Sequence, residues 1–363
     1  MQLRHGLVLL LVLVQLGCQS PDPLSAAKHR SGVLIDSLMA ESGSPGVAVA
    51  VGIEGDLLWS AGFGYANVET RTPVDPAVTR FRVGSVSKPM TAAALGQLLD
   101  AGKLDLDAPV QEYVPSFPEK RWPVTTRLVA GHLNGIRSYR NQEFMSTDHY
   151  ASVNHGLILF RDDTLLHEPG TRYAYSSYGW NLLSAVVEGA SGEGFLPYMQ
   201  THVFDPLGMQ QTTADHVDSI LVGRTGYYRI EKSGVLVNER AVDNSYKWAG
   251  GGFLSTAEDL VRFGFGHLQG QIMSPETIEL FQTSQTTLDG ETTNYGIGWS
   301  LGTDAFGRRR VGHGGGSVGG STTFWTYPDE DLVFVMISNL SGFKAGNVPD
   351  EIVNLFLSAQ KDP

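Results

Sequence analysis

The segment at residues 81–88 reads Phe-Arg-Val-Gly-Ser-Val-Ser-Lys and leads into an apolar stretch with helical periodicity. Residues three apart on a helix share one face, so the hydroxyl of Ser85 and the amine of Lys88 can meet without help from a distant segment. A serine hydroxyl becomes an effective nucleophile when a nearby base removes its proton. Lysine can be that base only if burial or a second cation lowers its pKa from about 10.4 towards neutrality. The spacing alone also fits a capping serine followed by a solvated lysine, so the rest of the chain must decide.

The composition is typical of a globular protein with a sizeable core. The chain has 363 residues, of which 42% are hydrophobic and 18% charged, and this length predicts one large domain or two intertwined lobes. The net charge of −12 argues against a nucleic-acid partner, which would favour a basic face, and the one basic cluster is the run at 308–310. Because Cys18 is the sole cysteine, no disulfide can form within the chain.

The first residues predict export. Residues 1–17 combine a basic start at Arg4 with a short apolar run at 7–16, which describes a signal peptide too short to span a bilayer. Cys18 follows directly, and we interpret it as the lipidation site of a lipoprotein; ordinary secretion with loss of Cys18 is the alternative. Residues 18–28 would then tether the folded body. We therefore expect an exported, periplasmic protein that is lipid-anchored to a membrane.

Hydrophobic periodicity and turn residues predict the secondary structure. Strands are expected at 46–52, 57–64, 299–302, 309–313, 321–327 and 332–338, and helices at 90–101, 177–188, 195–203, 255–268 and 347–359. Ser255 and Glu258 have the spacing of a capping box. Residues 29–103 and 245–363 would form one sheet domain, and residues 104–244 an inserted helical lobe. The predicted fold class is α/β of the α+β kind: an antiparallel sheet flanked by N- and C-terminal helices, with an inserted all-α lobe.

Two further segments could complete a site around Ser85. Tyr175 lies in the aromatic segment 173–179, and its phenol could share or relay a proton if Lys88 depressed its pKa. The alternative is an aromatic cluster that packs in the core. The glycine-rich segment 313–320 could bring a backbone N–H close to a developing oxyanion, or it could be a flexible hairpin tip.

In this order, the three segments resemble the serine β-lactamase and penicillin-binding-protein superfamily, in its class C β-lactamase-related branch with a β-lactamase/transpeptidase-like fold. That branch contains carboxylesterases, D-amino-acid peptidases and mitochondrial β-lactamase-like serine proteases, and residues 101–120 look most similar to the last of these. The resemblance covers nearly the whole mature chain. Further matching segments occur at 128–136, 205–209, 250–260 and 295–299.

The resemblance implies a role for each site residue. Ser85 is the expected acylated nucleophile, and Lys88, alone or shared with Tyr175, is the expected general base. The N–H groups of Ser85 and Gly316 are expected to form the oxyanion hole. The remaining expected substrate-binding residues are His313, Ser177 and Gly315. No cofactor and no metal are expected.

Two positions depart from the superfamily's pattern. Ser177 stands where Asn is usual, so an amide that would bind the substrate is replaced by one shorter hydroxyl. His313 stands where Lys is usual, so a fixed positive charge is lost or becomes pH-dependent. Both departures favour the peptidase and esterase branches over β-lactam turnover.

Two other candidates are set aside. Ser317 lies in a Gly-x-Ser-x-Gly pattern, but the residues after it are typical of a strand, whereas a nucleophile elbow requires a helix there. His132 resembles a residue that supports the fold in this superfamily, so we interpret it as structural.

We therefore expect a serine hydrolase that forms an acyl-enzyme on Ser85 and acts on peptide amides, like a peptidase or D-amino-acid carboxypeptidase. A β-lactamase or carboxylesterase is the alternative, and a low-turnover binding or filament-forming scaffold is an alternative of another class. The expected partners are a small-molecule or peptide substrate, the membrane through Cys18 and a homo-oligomer. The loops at 137–155 and 215–247 are expected to set substrate specificity.

Overall fold

The computed structural model describes residues 23–361. The predicted signal peptide and Cys18 lie outside these residues. The first helix begins at Pro23, so residues 23–28, which we predicted to belong to a tether, are helical instead. Between residues 23 and 361, none of the helices combines the length and the apolar character that crossing a bilayer requires.

Helices occupy both ends of the described chain, and strands and a helical block lie between them. The strands are β1 (Gly46–Ile53), β2 (Asp56–Asn67), β3 (Thr72–Pro73), β4 (Phe81–Arg82), β5 (Thr213–Ala214), β6 (Tyr228–Ile230), β7 (Leu236–Asn238), β8 (Phe253–Ser255), β9 (Ser300–Thr303), β10 (Arg309–Ser317), β11 (Gly320–Tyr327) and β12 (Leu332–Ser338). The helices are α1 (Pro23–Ser42), α2 (Ser87–Asp100), α3 (Thr126–Ala130), α4 (Val153–Gly156), α5 (Ser177–Ser191), α6 (Phe195–Tyr198), α7 (Trp248–Gly251), α8 (Ala257–Leu268), α9 (Pro275–Phe281) and α10 (Val348–Lys361).

Seven strands form the main sheet in the order β3-β2-β1-β12-β11-β10-β9, and all neighbouring pairs are antiparallel. At its centre β1 lies beside β12, with Val49 opposite Met336. Both strands are buried along their whole length because helices cover both faces. Val49 and Val51 pack with α1 and α10, while Ala48 and Ala50 belong to the larger core that includes α8. This confirms the predicted antiparallel sheet with helices from both ends of the chain.

Residues 104–244 contain α3 to α6, and they also hold three short strands. β5 belongs to a small second sheet in which β8 lies between β4 and β5, and β6 pairs with β7 in a two-stranded sheet. α5 packs against α2, α3 and α7, and its Trp180 and Leu183 are fully buried in the larger core. Because α2 carries Lys88 and α5 begins at Ser177, this packing brings two of the predicted motifs together.

The entry to α2 is tight. A 3₁₀ turn at Gly84–Val86 precedes the regular α-helix, so Pro89 falls in the first helical turn, where its missing N–H leaves no hydrogen bond unmade. The turn and the helix together place Ser85 and Lys88 on one side, as their spacing predicts.

The capping box predicted at Ser255 is wrong by one residue. Oγ1 of Thr256 accepts a hydrogen bond from the backbone N–H of Asp259 at 3.1 Å and caps α8. Ser255 cannot be the cap because it still belongs to β8. Strand pairing thus determines which hydroxyl begins the helix.

Candidate active site

Ser85 lies half-buried in the 3₁₀ turn at the start of α2. The turn depends on Gly84, whose φ of 52° lies in the left-handed region that favours glycine. A Cβ on Gly84 would come within 2.6 Å of the carbonyl oxygen and 2.9 Å of the amide nitrogen of Gly316. The backbone of this turn therefore packs directly against the backbone of β10, and Ser85 lies next to the glycine-rich strand.

Lys88 is completely buried, whereas lysine is normally exposed. Its Nζ lies 3.0 Å from Oγ of Ser85 and donates to the carbonyl oxygen of Gly250 at 2.7 Å. Burial lowers the pKa of Lys88 well below its usual value, and the positive charge of Lys247 lowers it further. These conditions favour the uncharged amine, and they hold it within reach of the serine hydroxyl.

The second motif is held at the N-terminus of α5. Ser176 caps this helix: its Oγ accepts from the N–H of Gly179 at 3.2 Å and donates to the carbonyl oxygen of Arg137 at 2.8 Å. Ser177 is the first residue of the helix and is buried, and its Oγ lies 3.4 Å from Nζ of Lys88. The shorter hydroxyl thus still reaches the lysine from the position where Asn is usual.

The phenol of Tyr175 lies beside the same lysine. Nζ of Lys88 is 4.9 Å from the centre of the Tyr175 ring, which lies against the imidazole of His132 at a centroid distance of 4.1 Å and a tilt of 35°. The Tyr175 hydroxyl interacts with Ser85, which favours its ionised form, but burial is the larger effect and raises the pKa of Tyr175. Although 39% of the surface of Tyr175 is exposed, its hydroxyl is the buried part of the side chain. A phenolate base requires a lowered pKa, whereas burial raises that of Tyr175 and lowers that of Lys88, so these surroundings favour Lys88 as the base.

The third motif belongs to β10. β9 pairs with residues 309–312 of this strand, and the glycines beyond them pack against the turn at the start of α2. Gly315 has no room for a side chain, because a Cβ there would lie 2.0 Å from the carbonyl oxygen of Val83. A Cβ on Gly316 would meet nothing within 4 Å. Open space therefore remains beside Gly316, on the backbone segment that faces Ser85.

His313 is buried and uncharged at neutral pH. Burial raises the pKa of Tyr295 well above its usual value, so the Tyr295 hydroxyl keeps its proton and donates to Nε2 of His313 at 3.0 Å. The other ring nitrogen, Nδ1, then donates to the carbonyl oxygen of Gly314. Burial, assisted by the charge of Lys88, lowers the pKa of His313 to about 3. The position where lysine is usual therefore supplies no positive charge.

Ser317 and His132, which we did not expect to be catalytic, both have contacts that fit a structural role. Ser317 ends β10, and a two-residue turn leads from it into β11 rather than into a helix. His132 is buried beneath Tyr175, and its Nδ1 accepts from the N–H of Ser176 at 3.1 Å. His132 thus positions the second motif in two ways: its ring packs against Tyr175, and its Nδ1 binds the backbone of Ser176.

Two contributors to the site were missed by sequence reasoning. Gly250 supplies the carbonyl that binds Lys88, and Lys247 supplies a second buried amine, whose pKa is lowered to about 7 chiefly by burial. The available sequence hint was the position of Lys247 directly before a tryptophan, an alanine and three glycines, a composition that allows backbone segments to approach closely.

The assembled groups fit nucleophilic chemistry at a carbonyl. A half-buried hydroxyl lies beside a buried amine with a lowered pKa, a phenol with a raised pKa and a glycine-rich strand. The amine can accept the hydroxyl proton during attack, and backbone N–H groups are the usual donors to the negative charge that then develops on the carbonyl oxygen.

Comparisons with known proteins identify the family to which the chain belongs. The Beta-lactamase family model matches residues 34–356. The human serine beta-lactamase-like protein LACTB, mitochondrial, is 33% identical, with 86% of this chain and 75% of that protein aligned. The D-aminopeptidase of Gluconobacter oxydans is 29% identical, over 85% of this chain and 58% of that protein. The solved structure of the octameric penicillin-binding protein homologue from Pyrococcus abyssi has a TM-score of 0.80 and 28% identity, and the match covers 91% of this chain and 77% of that one. These findings confirm the predicted superfamily: the chain belongs to the beta-lactamase family and is a serine hydrolase with that fold.

Proposed function

We propose that the protein hydrolyses peptide amides through an acyl-enzyme formed on Ser85. The observation that carries this proposal is the environment of Lys88, whose amine is completely buried and lies 3.0 Å from Oγ of Ser85. A neutral amine can accept the hydroxyl proton as the oxygen attacks, whereas an ammonium cannot. Burial is therefore what makes this pair a nucleophile and its base.

In the proposed reaction, these groups act in turn. Oγ of Ser85 bonds to the carbonyl carbon while its proton moves to Nζ of Lys88, and the N–H groups of Ser85 and Gly316 donate to the oxyanion. The intermediate then expels the amine, which receives the proton from Lys88 through the hydroxyl of Tyr175. The phenol serves as a relay because it keeps its own proton at neutral pH. Water repeats the sequence on the acyl ester, releases the acid and restores Ser85.

Small peptides with D-residues are the preferred substrates. The relative in Gluconobacter oxydans, a D-aminopeptidase, supports this choice. A carboxylesterase is the second candidate, and the neutral His313 favours it because an uncharged ester needs no cation for binding. The same lost charge weakens the case for β-lactams, which carry a carboxylate.

The nucleophile is tested with a fluorophosphonate probe and mass spectrometry of the labelled protein. We expect the wild type to carry one adduct on Ser85 and Ser85→Ala to carry none. Ser87→Ala is the matched control, since Ser87 is buried two residues away and its hydroxyl accepts from the N–H of Phe253 at 3.4 Å. Undiminished labelling of Ser85→Ala would overturn the proposal. Equal turnover by the wild type and Lys88→Ala would favour the scaffold alternative.

The substrate is identified with a panel of three compounds: a D-Ala peptide amide that has no free carboxylate, p-nitrophenyl butyrate and nitrocefin. We expect the D-peptide to have the highest kcat/KM. A higher kcat/KM for the ester would move the assignment to the carboxylesterase candidate, and rapid nitrocefin turnover would contradict the argument from the neutral His313.

We also propose that the protein is exported, anchored by lipid at Cys18 and assembled as a homo-oligomer. The sequence of residues 1–18 supports the anchor, and the octameric state of the Pyrococcus abyssi homologue supports assembly. Metabolic labelling with palmitate should mark the wild type and not Cys18→Ala, and analytical ultracentrifugation should show more than one subunit. An unlabelled wild type would contradict the anchor, and a monomer would contradict the assembly.

A further inference from the structure

Lys247 is a second buried lysine beside the active site, and the acyl-transfer steps above do not use it. It is 2% exposed and directly precedes α7. Its backbone carbonyl accepts from the N–H groups of Gly250 and Gly251, at 3.1 and 2.9 Å. Because the carbonyl of Gly250 in turn binds Nζ of Lys88, one short turn of backbone fixes both lysines relative to each other.

The amine of Lys247 lies in an aromatic cage. Its Nζ is 4.3 Å from the centre of the Phe144 ring, 5.1 Å from that of Tyr246 and 5.9 Å from that of Tyr139. It also donates to the carbonyl oxygen of Phe144 at 3.3 Å. Aromatic faces stabilise a cation without neutralising it. The cage is built from the loops 137–155 and 215–247.

One wall of the cage reaches the catalytic lysine. The hydroxyl of Tyr139 interacts with Ser177, whose Oγ lies 3.4 Å from Nζ of Lys88. Lys88 itself has no ring of this cage around it, and its nearest aromatic neighbour is Tyr175 at 4.9 Å from the ring centre. Three aromatic faces thus lie around the amine of Lys247, whereas one lies beside the amine of Lys88.

The carboxylates near Lys247 are bound to other partners. Asp215 binds Arg82 at 2.7 Å, Asp243 binds His149 at 2.9 Å, and Glu143 binds Arg137 at 2.6 Å. Among the ion pairs in the described part of the chain, none includes Lys247. Arg82 also repels the charge of Lys247, while Asp215 and Asp243 attract it, each with a smaller effect than that of Arg82. A charge on Lys247 is thus held in the cage and is not cancelled there by a carboxylate.

We propose that Lys247 is a positioning residue that acts through its charge: the caged ammonium keeps the amine of Lys88 unprotonated and so extends acylation to lower pH. The proposal rests on the proposed role of Lys88 as general base. Two like charges in one desolvated site disfavour each other, and the group in the poorer surroundings for a cation loses its proton first. The pKa of Lys247, lowered to about 7, places its charge in the range in which Lys88 must stay neutral. His313 is uncharged in this pH range. Lys247 therefore supplies, from a different segment, the positive charge that a lysine at position 313 would usually provide.

The test is the pH dependence of fluorophosphonate labelling of Ser85 in the wild type, Lys247→Met and Lys247→Arg. Methionine keeps an apolar stem without the charge, and arginine keeps the charge. In Lys247→Met we expect the inflection to move to higher pH by on the order of one unit, because removal of a like charge from a desolvated site relieves a repulsion of about that size. Below the wild-type inflection, labelling of this variant should be about tenfold slower. Lys247→Arg should stay near the wild type.

The outcomes separate this proposal from the proposed function. Wild-type labelling with an inflection that does not move in Lys247→Met would overturn the role of Lys247 and leave Ser85 and Lys88 in place. Equal movement in both variants would assign the effect to packing and would also overturn it. A wild type that is not labelled on Ser85 would overturn both.

A second measurement decides the matter if Lys247→Met does not fold. The ε-carbon resonances of lysine in the wild type are titrated by ¹³C NMR, and Lys88 is assigned by comparison with Lys88→Met. We expect the Lys88 resonance to respond in two coupled steps, the upper of which coincides with the titration of Lys247. A single step with no response to Lys247 would overturn the proposal.

Discussion

Replacement of Gly315 by alanine should separate the two sides of the proposed oxyanion hole. A Cβ at this position would lie 2.0 Å from the carbonyl oxygen of Val83 and 3.0 Å from its carbonyl carbon. Both are backbone atoms, so no side-chain rotation can relieve the clash. Favourable contact between heavy atoms begins at about 3.5 Å, so β10 and the turn that carries Ser85 must move apart by more than about 1 Å. Gly316 must move with them because it is the next residue.

A displacement of this size has a large expected effect on the rate. Misplacement of reacting groups by about 1 Å reduces the rate by about 10²-fold, and loss of one oxyanion donor reduces kcat by about 10²–10³. We therefore expect the acylation rate of Gly315→Ala, measured with p-nitrophenyl butyrate in a stopped-flow burst, to fall by roughly 10²-fold. Thermal unfolding would show whether the variant is folded at the assay temperature.

Gly314→Ala is the matched control for this experiment. It adds the same methyl group to the adjacent residue of the same strand, where a Cβ would meet nothing within 4 Å. We expect its burst rate to stay close to that of the wild type. If folded Gly315→Ala acylates as fast as Gly314→Ala, the contact between β10 and the turn does not position the oxyanion donors, and the reasoning is refuted.

Three further predictions concern the titratable groups. Lys88→Met should abolish acylation yet raise the free energy of unfolding by roughly 0.5–2 kcal/mol, because an amine whose pKa is lowered by burial destabilises the folded state at every pH below its ordinary pKa; an unchanged melting temperature at pH 7 would contradict this. Tyr175→Phe should slow acylation but keep its inflection with pH, since the phenol is protonated, and loss of the inflection would return the role of base to Tyr175. His313→Gln should keep the wild-type shape of the profile between about pH 5 and 9, because the pKa of His313 is about 3; an inflection that disappears in this variant would show that His313 titrates.

Much of the fold could be predicted because its signals are local. The run Gly46–Ile53 is apolar throughout, which fits a strand covered on both faces, and it is the buried centre of the sheet. Proline fixes φ and glycine allows positive φ wherever they occur, so Pro89 in the first turn of α2 and Gly84 before it are local signals as well. The predicted cap at Ser255 failed for a non-local reason: pairing of β8 with β4 extends the strand through that residue, which lies opposite Phe81.

The site divides in the same way. The spacing of Ser85 and Lys88 predicts their contact, since both lie within one turn of chain. The carbonyl of Gly250 could not be predicted from spacing, because it comes from 162 residues further along the chain. Lys247 was missed for a related reason: its sequence neighbours indicate close packing but do not show which groups pack around it.

The sequence by itself determined which groups can react, because chemical identity and one-turn spacing are properties of the chain. Only the tertiary structure decided which of those groups carry charge. Protonation depends on water exclusion and on distant charges, so the lowered pKa of Lys88, the raised pKa of Tyr175 and the neutrality of His313 arise only when α2, α5, α7 and β10 pack together.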